Sequence, residues 1–414
     1  MQPVIQSRCS PDYKKDTEST HSLQINVVFA LYGRCSDTTL FPTLCDVSDS
    51  LVLFDDFYNF YAAGELIHSG GNPFVAQQIR DARVAAGFPA DRVLPPFPYP
   101  VWSMWLFFLL ALGSFDVTVA MISIAACTTF YLYVLRVARQ IDERPEWLTD
   151  LVVVMLAISF SPVIKVILFG QISWVPLLGI LFGASALSRG KLLQAGAWLS
   201  LIMIKPHLFI GVFGFIAARA LWFKHRRLLW GFVIGFVAQL TVSYAVFPFG
   251  WAQLLGYVMQ SPHGVQAELF MTTSVTGVLG HYSGTLLPQV VGVVTAFVLG
   301  VVVAVRGERH NADTLFFKSL LPVSLFLAPY AWLHDYVIIF PLVLEVVMRI
   351  CRYHERCVLL LWVLLTMVVY VLLLARYEHY LFGVYGLVLL SMIRWHCWAL
   401  SPNVPPEKGP LLRV

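Results

Sequence analysis

The sequence predicts an all-α polytopic membrane protein, a bundle of roughly 10–13 transmembrane helices with a partly helical first outer loop. Three observations predict it. Of 414 residues, 58% are hydrophobic and only 13% are charged, whereas soluble domains carry about 25% charged residues. Apolar runs close to the roughly 20 residues that cross a bilayer recur along most of the chain. Short basic clusters separate many of those runs, the pattern of cytoplasmic loops. A water-soluble globule cannot hide this much apolar surface, which excludes a soluble enzyme and a disordered chain. A net charge of +4 is too small for a phosphate-backbone partner, so membrane lipids are expected as partners and nucleic acid is not.

Residues 1–22 are polar and lack the charged-then-apolar pattern of a signal peptide. Residues 23–33 are apolar but too short to span, and Arg34, Asp37, Asp46 and Asp49 interrupt any longer helix. Residues 1–54 therefore read as an N-terminal segment with a degenerate or missing first span. Residues 55–97 are amphipathic and rich in Pro and Gly, leading into Pro95-Pro96-Phe97-Pro98-Tyr99-Pro100. They read as a partly structured outer loop lying on the membrane surface. Residues 98–396 form the multi-span domain and 397–414 a short tail.

Within that domain the apolar runs fall at 98–113, 116–137, 149–168, 171–188, 192–222, 228–247, 286–305, 314–333, 335–349, 357–375 and 380–393. The clusters Arg189/Lys191, Lys224/Arg226/Arg227, Arg306/Arg309, Arg349/Arg352/Arg356 and Arg394 belong to the cytoplasm under the positive-inside rule. Gly170-Gln171, Lys205-Pro206-His207, 248–285, Trp332–Tyr336 and Arg376–Tyr380 then face the other side. The 192–222 run has basic residues at both ends and reads as two short helices broken at Lys205-Pro206, because proline interrupts the helical ladder. Strict alternation of the early spans would put 55–97 in the cytoplasm. Either 98–113 or 149–168, with its Pro162 and Lys165, is therefore not a full span.

The seven cysteines (Cys9, Cys35, Cys45, Cys127, Cys351, Cys357 and Cys397) form no CxxC pair and no metal-ligand spacing with histidine. They read as buried or interfacial thiols. A Cys35–Cys45 disulfide is the one pairing that an oxidising compartment allows.

Charges at the membrane boundary are few, which makes them informative. The clearest group begins Asp55-Asp56-Phe57-Tyr58-Asn59-Phe60-Tyr61, where a helix would present a carboxylate at its start. The same residues also fit a capping aspartate with interfacial aromatics. Tyr330-Ala331-Trp332-Leu333-His334-Asp335 lies between two apolar runs; a His-Asp pair flanked by aromatics suits a phosphate and a sugar ring, or an interfacial hairpin. Lys205-Pro206-His207 offers a cation, or a snorkelling lysine, and Gly170-Gln171 is a weaker fourth group. No phosphate loop, GxSxG elbow, HExxH or GxGxxG occurs. No Asp-x-Asp pair stands in the loops assigned outside, so neither a metal site nor any other cofactor is expected.

In order along the chain these residues resemble glycosyltransferase family 87, the polytopic GT-C-type transferases that use polyprenyl-phosphate sugars. The resemblance rests on Asp56-Phe57, Tyr61-Ala62-Ala63, Gly70-Gly71-Asn72-Pro73-Phe74, Tyr99-Pro100, Gly170-Gln171, Arg189-Gly190-Lys191, Ala195-Gly196, Lys205-Pro206 and Ala331-Trp332-Leu333-His334-Asp335. It covers 55–350. It departs from the family's Ser-Trp-x-His-His at Ala331 and Asp335. The resemblance implies a GT-C-type bundle in the cell (inner) membrane with its active site on the non-cytoplasmic side, and Asp56 as catalytic base. It further implies His334 at the donor phosphate and Lys205 as a neutralising charge. Asp55, Tyr61, Gln171, His207, Tyr330, Trp332 and Asp335 would complete the substrate site. The implied partners are a polyprenyl-phosphate sugar donor, mannose being the default, and a glycan or glycolipid acceptor. A transporter or flippase of a lipid-linked solute, and a relative without activity, are the competing readings.

Overall fold

The computed structural model describes residues 54–90, 97, 99–141, 160–248, 250, 274–283, 285–306, 320–329 and 331–343. The N-terminal segment, the Cys35–Cys45 pairing, Tyr330, the runs at 357–375 and 380–393 and the tail lie outside the described residues.

Among the described residues every regular element is helical. The chain forms α1 (Asp55–His68) and α2 (Ala76–Ala85). A 3-10 turn, Val101–Ser103, leads into α3 (Met104–Leu110), and α4 (Phe115–Ile141) follows. Next come α5 (Ser161–Leu168), α6 (Trp174–Ser188) and α7 (Leu192–Leu199). Two 3-10 segments, Ser200–Ile204 and Pro206–Leu208, join α7 to α8 (Ile210–Leu221). After α9 (Arg226–Val246) and α10 (Val275–Ser283) come α11 (Leu287–Arg306) and α12 (Leu321–Phe326). The 3-10 helix Leu333–Ile339, continued as helix to Val343, closes the described part.

Among the described residues three helices are long and apolar enough to cross a membrane: Phe115–Arg136, Arg226–Val246 and Leu287–Val305. Their outward faces carry exposed Met121, Ile124, Ile234, Val237, Val294 and Val298. In water such a surface would be costly; in lipid it is the expected solvent-facing side.

The break expected at Lys205-Pro206 is present. The two halves do not pair mainly with each other: α7 packs along α9 and α6, whereas α8 packs along α11. Both crossings use glycine. A Cβ on Gly196 would run into the Leu228 carbonyl and one on Gly231 into the Leu193 carbonyl; at the other crossing, Gly300 meets the Gly211 carbonyl in the same way. Backbones approach this closely only where side chains are absent, a usual device when helices associate without a hydrophobic driving force.

Of the two early runs in question, 98–113 yields only the ten-residue apolar helix Val101–Leu110, too short to span. Within 314–333 the described helix ends at Phe326, and Pro329 lies in the irregular connection to the next helix. Hydropathy registers 98–113 as a run near span length because a short helix buried in protein is as apolar as one buried in lipid.

The segment 55–97 also differs from a loop resting on a membrane surface. Helix α1 is buried on nearly all sides, with Phe57, Phe60, Ala62 and Ala63 at most 1% exposed. Its aromatics form a core rather than an interfacial belt. Phe60 meets Tyr99 edge-on at 5.1 Å, Phe97 meets Phe107 at 4.9 Å, and Tyr58 stacks on Phe115 at 4.3 Å. Gly64 allows α1 to reach the Phe107 carbonyl of α3.

Candidate active site

Helix α1 starts without a side-chain cap. Its first amides instead find the free carbonyls at the end of α5: Phe54 N donates to Leu168 O at 2.7 Å and Phe57 N to Phe169 O at 3.1 Å. Each helix end thus satisfies groups the other leaves orphaned. This joint fixes Asp56, one residue before Phe57, against the end of α5.

Helix α5 ends in a Schellman turn. Gln171 N donates to Val166 O at 2.9 Å and Gly170 N to Ile167 O at 3.3 Å, with Gly170 left-handed at φ 65°. A Cβ on Gly170 would also meet the Phe57 Cβ at 2.6 Å. Glycine is therefore required twice at this position, by the turn and by the approach of α1. The turn delivers Gln171 beside Asp56, where its amide favours the ionised carboxylate.

From Gln171 a buried polar network runs through the bundle. Lys205, at the break between α7 and α8, donates from Nζ to Gln171 Oε1 at 3.3 Å, to Ser173 Oγ at 2.9 Å and to Asp335 Oδ1 at 2.7 Å. Ser173 Oγ donates to Asp335 Oδ1 at 3.1 Å, and Trp332 N to Asp335 Oδ2 at 3.0 Å. The Lys205 ammonium also lies 5.9 Å from the Tyr99 ring centroid. Each carboxylate oxygen of Asp335 therefore accepts at least one bond, as a buried charge requires.

Two histidines flank this network. His334 Nε2 lies 3.6 Å from Asp335 Oδ1, and the His334 ring is parallel to Trp332 within 6° at a centroid distance of 6.4 Å. His207 lies within electrostatic reach of Lys205 and Asp335.

Exposure divides the group in two. Gln171, Ser173, Lys205 and Asp335 are all below 5% exposed. Asp56, His207, Trp332 and His334 are only half-buried. Asp56 and His334 both keep accessible surface beside the sealed network. Burial pushes the Asp56 carboxyl above its ordinary value; the Gln171 hydrogen bond and the charges of Lys205 and Lys165 pull it back, and Asp335 opposes them.

The structure therefore brings Asp56, Gln171, Lys205, His207, Trp332, His334 and Asp335 together. Two expected residues point elsewhere. Tyr61 donates its hydroxyl to Gly113 O at 3.0 Å and packs on Phe57 and Phe115. Asp55 faces the guanidinium of Arg83, which also donates to Asn59 Oδ1 at 3.1 and 2.5 Å and ties α2 to α1. Sequence reading passed over Ser173, whose position just before an apolar helix suits an ordinary cap. Its hydroxyl makes no cap bond and serves the ion pair instead. Lys165 registered only as an interruption of a span, yet its charge reaches both Asp56 and His334.

Among the described residues no three His, Cys, Asp or Glu side chains converge as a metal site. The donor set is two carboxylates, of which Asp335 is committed to Lys205, with histidine, lysine, amide and aromatic groups. Such a set can take a proton and bind an anion beside a ring.

Residues 97–333, more than half of the chain, match glycosyltransferase family 87. The matched segment holds Gln171, Ser173, Lys205, His207 and Trp332, while Asp56, His334 and Asp335 lie outside it. No curated protein and no solved structure matches the chain. The match over most of the bundle, with helices suited to cross a bilayer, establishes that the chain belongs to glycosyltransferase family 87 and is a membrane glycosyltransferase.

Proposed function

We propose that the chain transfers a hexose, with mannose the first sugar to test, from a polyprenyl-phosphate donor to an envelope glycan or glycolipid. The acceptor hydroxyl gives its proton to Asp56 as its oxygen attacks the anomeric carbon. The bond from that carbon to the phosphate oxygen breaks with inversion. The lipid phosphate is monoanionic before transfer and dianionic after it, so donors such as His334 gain most in the transition state. Trp332, parallel to His334, offers a face for the sugar ring. The observation supporting this reading is that Asp56 and His334, 278 positions apart in sequence (334 − 56), keep accessible surface around one polar network.

On this reading the chemistry is metal-independent. His334→Ala should raise the apparent donor KM or lower kcat, and EDTA should change the rate little. Loss of activity with EDTA that Mg²⁺ or Mn²⁺ restores would refute this and turn attention to Asp55, Asp56 and Asp335 as ligands.

A lipid-linked donor on the non-cytoplasmic side of the cell membrane also requires α1 and α2 to face that side. Single cysteines introduced as Ala76→Cys or Ala85→Cys, both exposed on α2, test this in a cysteine-free background. Each should react with a membrane-impermeant thiol reagent in intact cells. Protection until the cells are permeabilised would place the cavity in the cytoplasm and contradict the proposal.

A further inference from the structure

We infer that Gln171 is a positioning residue for Asp56, and that the sealed Lys205–Asp335 pair acts by locking its amide in one orientation. The inference rests on Asp56 being the base.

An ammonium carries three N–H bonds, and Lys205 has three acceptors in range: Asp335 Oδ1 at 2.7 Å, Ser173 Oγ at 2.9 Å and Gln171 Oε1 at 3.3 Å. Its side chain is 5% exposed and that of Asp335 1%. The charge is paired, its donors are occupied, and little of it reaches the cavity. A donor phosphate would have to displace one of these partners to bind it.

What Lys205 does hold is one end of Gln171. A side-chain amide is planar, with its oxygen and nitrogen on opposite branches. Because Lys205 takes the oxygen, the NH₂ is left for Asp56, which the joint of Phe57 N to Phe169 O holds beside it, and an amide hydrogen there favours the ionised carboxylate. The flipped amide would set NH₂ against the ammonium and a carbonyl oxygen against the carboxylate, two repulsive contacts in a water-poor site. Asp335 and Ser173 in turn fix Lys205, and Trp332 N fixes Asp335. Order thus passes from the 3-10 helix Leu333–Ile339 to the general base without any of these links needing to touch substrate.

The charged groups facing Asp56 are Lys205 at the α7–α8 break, Lys165 on α5 and Asp335 on the closing 3-10 helix. Removing the Gln171 amide leaves those charges in place and deletes one bond to the ionised carboxylate. The acid limb of activity must then move to higher pH.

Gln171→Met, which keeps length and removes both amide groups, is the first variant. Its kcat at neutral pH should fall by about 10²-fold, the scale of a misplaced catalytic group, with donor KM unchanged. The deficit should shrink as pH rises. Gln171→Glu, which turns a carboxylate toward Asp56, should lose more and shift the limb further in the same direction. Lys205→Met combined with Asp335→Ala, which removes the buried pair from both sides, should act like Gln171→Met, and adding Gln171→Met to it should lose no more than the worse of the two, because they act as one unit. Carbodiimide labelling of Asp56 against pH, read by mass spectrometry, follows its protonation without turnover and should shift upward in Gln171→Met.

An unmoved labelling profile in Gln171→Met overturns the inference. So does a raised donor KM with the acid limb unmoved, which would make Gln171 or Lys205 a substrate contact. A wild-type protein that transfers from no polyprenyl-phosphate sugar would sink the proposed function instead, and the labelling profile would still decide whether Gln171 governs Asp56.

Discussion

Asp56→Asn should abolish transfer while leaving membrane insertion and thermal stability close to wild type. A general base contributes about 10²–10⁴ in rate, and a side-chain amide cannot accept the acceptor's proton. The fold has little to lose. Helix α1 is anchored by backbone bonds from Phe54 N and Phe57 N to the end of α5, and no side chain caps it. An asparagine oxygen can still accept from Gln171. The pH dependence gives a second reading. The base works ionised, so activity is present above its titration and disappears as pH falls through it. Because burial raises Asp56, that loss should begin at a higher pH than for an exposed aspartate, and Asp56→Asn should show no such limb. Comparing kcat/KM with the melting temperature in detergent checks both halves. Full activity in Asp56→Asn would remove the residue from the chemistry.

The second large effect falls on stability. Asp335→Ala leaves the Lys205 ammonium buried without its counter-charge and frees Trp332 N of its acceptor. Breaking a buried pair from one side costs about 3–5 kcal/mol, whereas replacing both partners with apolar groups is often neutral. Asp335→Ala should therefore lower the melting temperature sharply and reduce the yield of folded protein. Adding Lys205→Met should recover most of that loss. Recovery of folding without recovery of activity would match a network that orients the base. A wild-type melting temperature for Asp335→Ala would mean that water or another group already stabilises Lys205.

Local chemistry was legible in the sequence and long-range pairing was not. Pro206 marks its own helix break because it has no N–H to donate. Asp56, Gln171, Lys205 and His334 stand out as polar residues in a very apolar chain. Their convergence has no local signature, since Lys205 and Gln171 are 34 positions apart and Lys205 and Asp335 are 130 apart. Asp335 shows the cost of that blindness. As a residue type it reads as a departure from a His-His pair, whereas in the fold it is the counter-charge of Lys205. Tyr61 shows the converse: its place beside Asp56 in sequence suggested substrate, yet its hydroxyl is committed to Gly113. Hydropathy alone did not decide which of 98–113 and 149–168 falls short of a span. Apolar character reports burial, and the short helix Val101–Leu110 under α1 is buried in protein.

Sugar transfer from a lipid phosphate with Asp56 as base is the activity proposed for this site. Its most direct measurement uses purified protein in liposomes with a labelled polyprenyl-phosphate sugar, a glycolipid acceptor and, separately, the corresponding nucleotide sugar. Label should enter the acceptor from the lipid donor alone, with the anomeric configuration inverted and no product from Asp56→Asn. Label that crosses the bilayer still attached to its lipid, or product formed from the nucleotide sugar, would contradict it.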